Sequence, residues 1–167
     1  SSLHLLTYVS YIFEVAMTLS DKENSATAYH FGRLLNEIMD VPVGLIVSSW
    51  GGSSIEAWMS EDMLRAFPSV KIPADKESAG AVNRAPTMLY NAMMHPIIQM
   101  NVKGVIWYQG ESNCDRADSY AAMFKAMAEG WRKNSRLTDT IPFYFFQISP
   151  YEYRKPIAQN KFKNSPH

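Results

Sequence analysis

The sequence predicts a single α/β domain built on a parallel sheet with helices on its faces. Short apolar runs alternate along the chain with amphipathic stretches of helical spacing, the order expected of strand–helix–strand units. Each apolar run ends in a turn of small or polar residues, as strands do where a sheet meets solvent. Of 167 residues, 47% are apolar and 13% aromatic, enough to bury a core at this length.

Residues 1–22 form an apolar N-terminal segment without the basic start of a signal peptide, and Glu14 interrupts it. Within it, Leu5 to Phe13 reads as a strand or a buried helix. Ala28, Phe31, Leu34, Leu35 and Ile38 then recur at helical spacing, with Asn24 or Ser25 available as the cap and Asp40 and Pro42 as the stop. Val43 to Val47 reads as a buried strand running into Ser48-Ser49-Trp50-Gly51-Gly52-Ser53-Ser54. Ser60-Glu61-Asp62 opens a short helix through Phe67, a capping serine followed by two acids in the first turn. Residues 69–86 make a long polar excursion, and Thr87 to Met94 is helical until Pro96 breaks it. Val105 to Tyr108 is a second strand, followed by Gln109-Gly110-Glu111-Ser112-Asn113. Ala117, Tyr120, Ala121, Phe124, Met127, Ala128 and Trp131 mark the strongest helix, and Ile141 to Ile148 a third strand. Residues 153–167 read as a tail.

Sixteen basic residues balance sixteen acidic ones, so no global field draws the chain to nucleic acid or to an anionic membrane. Cys114 stands alone, which excludes an internal disulfide framework, and no His-x-x-x-His or carboxylate spacing points to a metal. Ten methionines read as adaptable core filler. No cofactor is implied.

Ligands of parallel α/β sheets bind beyond the carboxyl ends of the strands. Here those ends are Ser48 to Ser54, Gln109 to Asn113 and Gln147 to Tyr151. Gly51 and Gly52 allow positive φ and close approach of a ligand to the backbone, and an amide exposed there can donate to a developing oxyanion. An ordinary strand-to-helix turn would use the same residues. Asn113 offers a side-chain amide for the same purpose. Ser112 could be a nucleophile only with a base in reach; its surroundings lack the Gly-x-Ser-x-Gly elbow, and capping the next helix would explain it as well.

Several segments together resemble the sialate O-acetylesterase family of carbohydrate esterases, which includes acetylxylan esterase-like members. They are Val41-Pro42-Val43-Gly44-Leu45-Ile46 with Ser48 to Gly52, Ile55-Glu56-Ala57-Trp58, Leu89-Tyr90-Asn91-Ala92-Met93, and Gly104-Val105-Ile106-Trp107-Tyr108-Gln109-Gly110-Glu111-Ser112-Asn113. Ser25 to Tyr29, Phe31-Gly32-Arg33 and Pro142 to Phe145 also fit, so the likeness covers roughly residues 23–152. The resemblance implies a three-layer α/β/α, flavodoxin-like SGNH hydrolase domain. It also implies a serine mechanism that removes O-acetyl groups from sialic acids or from polysaccharides such as xylan, in a secreted, periplasmic or lysosomal setting. It places the oxyanion amide on Gly52, with Gly51 as the neighbouring alternative, and the oxyanion side chain on Asn113. Gln109 and Glu111 would line the same pocket.

The family's Gly-Gln-Ser-Asn segment, which holds the nucleophile, has no counterpart before Ser25, and its Asp-x-x-His segment has none near Pro166-His167. His4, His30 and His95 are the remaining candidate bases; His30 sits within a predicted helix and His95 just before Pro96. The expectation is therefore an esterase domain truncated at both ends, with little activity of its own. The rival is a non-catalytic carbohydrate-binding or assembly fragment in which Trp50, Trp58, Trp107 and Tyr108 present aromatic surface to sugars. A sheet lacking the nucleophile's strand would have an open edge, covered by Leu5 to Phe13 of its own chain or by exchange within a homodimer.

Overall fold

The computed structural model describes residues 26–74, 80–135 and 141–148. The calls on Leu5 to Phe13, on the Asn24 or Ser25 cap and on the 153–167 tail lie outside the described residues.

Helix α1 spans Ala26–Met39. It stops where the sequence places the stop: Asp40 turns to φ +49°, its amide still bonded to the Asn36 carbonyl at 3.0 Å, and Asn36 Nδ2 closes on the Val41 carbonyl at 2.8 Å. Its apolar stripe is not buried as expected. Gly32 is buried against Leu45, but Leu34 is 53% and Ile38 70% exposed. Val43 to Val47 is also corrected: apart from an isolated bridge at Gly44 it forms no strand. A strand exists only through a neighbour's hydrogen bonds, and none of the two described strands pairs along this stretch.

A short 3-10 turn, Ile55–Trp58, follows the glycine turn and is buried throughout. Helix α2, Glu61–Leu64, begins as predicted, with Ser60 Oγ accepting from the Met63 amide at 3.4 Å and two acids in the first turn. The predicted helix at Thr87 to Met94 is a π-helical turn, Tyr90–Met94, in which the His95 amide reaches back to the Tyr90 carbonyl at 2.7 Å.

Strand β1, Val105–Trp107, lies parallel to β2, Phe143–Phe145, with Val105 opposite Phe143 and Trp107 opposite Phe145. Between them run a 3-10 turn, Glu111–Arg116, and helix α3, Ala117–Asn134, so the segment is a β–α–β unit of an α/β fold. Both strands are shorter than the apolar runs that predict them. β2 is not covered on both faces either, since Tyr144 is 54% and Phe145 68% exposed among the described residues.

The core forms where α3 crosses the Ile55–Trp58 turn. Ile55, Met59, Leu89 and Met127 have no exposed surface. Around them Trp107 meets Trp58 edge-to-face at 6.3 Å and Trp131 at 5.9 Å. Each indole N–H has an acceptor: Trp58 in Ser53 Oγ at 2.9 Å, Trp131 in the Trp58 carbonyl at 3.1 Å, Trp107 in Tyr120 Oη at 2.9 Å. Trp58 and Trp107 are thus core residues rather than sugar platforms, whereas Trp50 and Tyr108 are half exposed.

Candidate oxyanion site at the strand ends

Two turns predicted from the sequence meet in space. Ser112 Oγ donates to the Gly52 carbonyl at 2.8 Å, Gln109 Nε2 to the Ser53 carbonyl at 2.7 Å, and the Ile55 amide to Asn113 Oδ1 at 3.0 Å. Gly52 holds φ +68°, a conformation that L side chains resist, and the turn is exposed at both glycines. The amides of Gly51 and Gly52 have no acceptor among the described residues.

A third segment clasps the glycine turn from the other side. The Ser54 amide donates to the Asn83 carbonyl at 3.1 Å, Ser54 Oγ to the Arg84 carbonyl at 3.0 Å, Asn83 Nδ2 to the Gly51 carbonyl at 2.9 Å and Arg84 Nε to the Gly52 carbonyl at 3.3 Å. The polar excursion before Pro86 therefore ends as a support for the turn.

Asn113 is 2% exposed. Its Oδ1 accepts from Ile55 and from Gln109 Nε2 at 2.8 Å, and its Nδ2 donates to Glu56 Oε2 at 3.0 Å. The second Nδ2 hydrogen has no acceptor among the described residues. Glu56, 7% exposed at its side chain, has a cation at 3.4 Å in Arg116 Nε, whose Nη1 also holds Asp115 at 2.9 Å. Tyr120 Oη donates to Gln109, reaching its Oε1 at 2.9 Å and its backbone carbonyl at 2.8 Å. Burial, reinforced by the negative charges of Glu111 and Glu56 and opposed by the Trp107 N–H, raises the Tyr120 pKa above its ordinary value, so the phenol stays a donor. Glu111 is exposed at the start of its turn.

Ser112 has no histidine bonded to it among the described residues; its hydroxyl links the two turns instead. His30 is exposed on α1 and packs edge-on to Tyr29 at 5.5 Å. His95 packs on Tyr90 and lines, with Asn134, a cavity of about 360 Å³ at the far end of α3, a helix about 27 Å long that begins after the turn holding Asn113. His4 lies outside the described residues. Among the described residues no group of three or more His, Cys, Asp or Glu could hold a metal, and no helix is long and apolar enough to cross a membrane.

Sequence reasoning did not single out Glu56, Tyr120, Arg116 or Asn83 as site residues. Glu56 carries the one available signal: a carboxylate enclosed by Ile55, Ala57 and Trp58 has an apolar setting that demands a partner.

Known proteins resemble this chain over most of its length. The profile of the family described as carbohydrate esterase, sialic acid-specific acetylesterase matches residues 14–165. The chain is 44% identical over 116 residues to the sialate O-acetylesterase of Homo sapiens, covering 67% of this chain and 22% of that protein. It is 34% identical over 164 residues to that of Rattus norvegicus, covering 76% of this chain and 30% of the relative. A crystal structure described as a novel carbohydrate acetylesterase from Xanthomonas citri superposes with a TM-score of 0.62 at 40% identity, over 74% of this chain and 26% of the other. The chain thus spans less than a third of the length of these relatives. On this profile and these identities, the chain belongs to the sialic acid-specific acetylesterase family of carbohydrate esterases.

Proposed function

We propose that this chain supplies the oxyanion-stabilising part of a carbohydrate O-acetylesterase, acting on acetyl esters of sugars such as sialic acids or xylan by a serine mechanism. In such a reaction a serine attacks the acetyl carbonyl, negative charge collects on the carbonyl oxygen, and water later releases acetate from the acetyl-enzyme. The donors proposed here are the Gly52 amide, with Gly51 beside it, and the free Nδ2 hydrogen of Asn113; Gln109 and Glu111 line the site. One observation carries the reading: an exposed glycine turn whose amides have no acceptor among the described residues is tied by three hydrogen bonds to the turn that holds Asn113. Donors fixed before the reaction stabilise a developing charge without reorganising, which is the main source of their effect.

Half-exposed Trp50 and Tyr108, the latter packed on Phe146 at 5.5 Å, favour a second role in the same place, stacking on a sugar ring. A non-catalytic carbohydrate-binding fragment would use that surface without turnover.

Hydrolysis of 4-nitrophenyl acetate by the purified chain tests the assignment. Without a histidine bonded to Ser112 among the described residues, turnover is expected roughly 10⁶-fold below that of a complete triad, about 10³–10⁴-fold above the uncatalysed rate, and Ser112→Ala should lower it no more than the loss of one hydrogen bond between the turns does, about tenfold at most. Robust turnover abolished by Ser112→Ala would make Ser112 the nucleophile and overturn the proposal.

A further inference from the structure

Glu56 sits at one end of a chain of side chains whose hydrogen-bond direction is fixed at that end and by backbone groups alongside. At the other end is the Trp107 indole, which can only donate, and it donates to Tyr120 Oη. The single Tyr120 hydroxyl hydrogen faces Gln109 Oε1 at 2.9 Å and the Gln109 carbonyl at 2.8 Å, Gln109 Nε2 donates to Asn113 Oδ1, and Asn113 Nδ2 donates to Glu56 Oε2. An ionised carboxylate can only accept. Groups of fixed polarity alongside agree: the Ser53 carbonyl accepts from Gln109 Nε2, and the Ile55 amide donates to Asn113 Oδ1. A flipped Asn113 would set its NH₂ against the Ile55 and Gln109 donors and its carbonyl against the carboxylate.

We infer that Glu56 is a positioning residue of the oxyanion site: its buried carboxylate fixes which way the Asn113 amide faces and, through Asn113, which way Gln109 faces. This rests on the proposed role of Asn113 as an oxyanion donor: in the orientation that satisfies Glu56, Ile55 and Gln109 together, one N–H of Asn113 is held by the carboxylate and the other has no acceptor among the described residues. Burying a carboxylate is costly unless it is paired, and Arg116 Nε at 3.4 Å supplies the compensating charge. Glutamine has the same shape but presents one donor and one acceptor, so it cannot impose a single direction.

The test is amide hydrogen exchange by NMR on the chain labelled with ¹⁵N, comparing wild type with Glu56→Gln. The side-chain hydrogens of Asn113 should exchange roughly tenfold faster in the variant, and those of Gln109 faster too, while the backbone amide of Met127 in the core of α3 is unchanged. A residue that merely stabilised the core would raise exchange at Met127 in step. Equal acceleration at all three, or none at Asn113, overturns the inference. If Glu56→Gln does not fold, Glu56→Asp, which keeps the charge but draws the carboxylate back from Asn113 Nδ2, replaces it: exchange at the Asn113 side chain should rise with Met127 unchanged, and an unchanged Asn113 contradicts the assignment. Because these readouts involve no substrate, they stand apart from the esterase reading, which fails separately if acetyl esters are not recognised.

Discussion

At the end of β1, Asn113 makes three side-chain hydrogen bonds while only 2% exposed. Truncating it strips a partner from the buried Glu56 carboxylate and an acceptor from the Ile55 amide and from Gln109 at once. Asn113→Ala should therefore destabilise the chain by about 3 kcal/mol, read as a lower urea midpoint. Asn113→Asp, which places a second carboxylate against Glu56, should cost at least as much. Gly52→Ala is a different case, since an added Cβ meets nothing closer than Asn83 Nδ2 at 3.5 Å and only the φ of +68° opposes it. A loss of about 1 kcal/mol is expected from that strain alone. The importance of Asn113 was legible in the run from Trp107 to Asn113. The burial of Glu56 was less so, because its partner lies 57 positions away and nothing local announces the pairing.

At the scale of elements, periodicity located α1, α3 and β1 within a residue or a few of their observed ends. It overestimated what α1 buries and made a strand of Val43 to Val47, because an apolar pattern records what a segment can bury and not which neighbours are there to cover it. The contact of α3 with α2 was invisible for a similar reason. Gly130 looks like a weak point in a helix, yet a Cβ there would come within 2.5 Å of Met63 Cγ, in a side chain that is itself buried. Replacing a helical glycine with alanine ordinarily stabilises by about 1 kcal/mol. Gly130→Ala is instead expected to destabilise by about 1–3 kcal/mol through overpacking, and the double variant with Met63→Ala should relieve much of the clash. Thermal unfolding of the two singles and the double gives the coupling.

For the whole molecule, stability at high pH should report on the polar chain between Trp107 and Glu56. The folded-state pKa of Tyr120 is raised, so the stability tied to its protonated phenol is complete below the unfolded value of about 10 and is lost as pH rises through the folded value. The unfolding free energies of wild type and Tyr120→Phe should differ most below about pH 10 and converge above it. The α/β class and the two turns that meet in space were readable from one sequence because both are written locally, in alternating runs and in the glycine, serine and asparagine that follow them. The network that orients those turns joins residues dozens of positions apart, and it emerges only once α3 has packed on the Ile55–Trp58 turn. The most direct test of an oxyanion site there is an NMR titration with acetate, the anion the proposed reaction releases. The Gly52 backbone amide and the Asn113 side-chain amide are predicted to shift together with one shared dissociation constant; shifts at only one of them, or shifts no larger than those of surface amides at the far end of α3, would contradict the account.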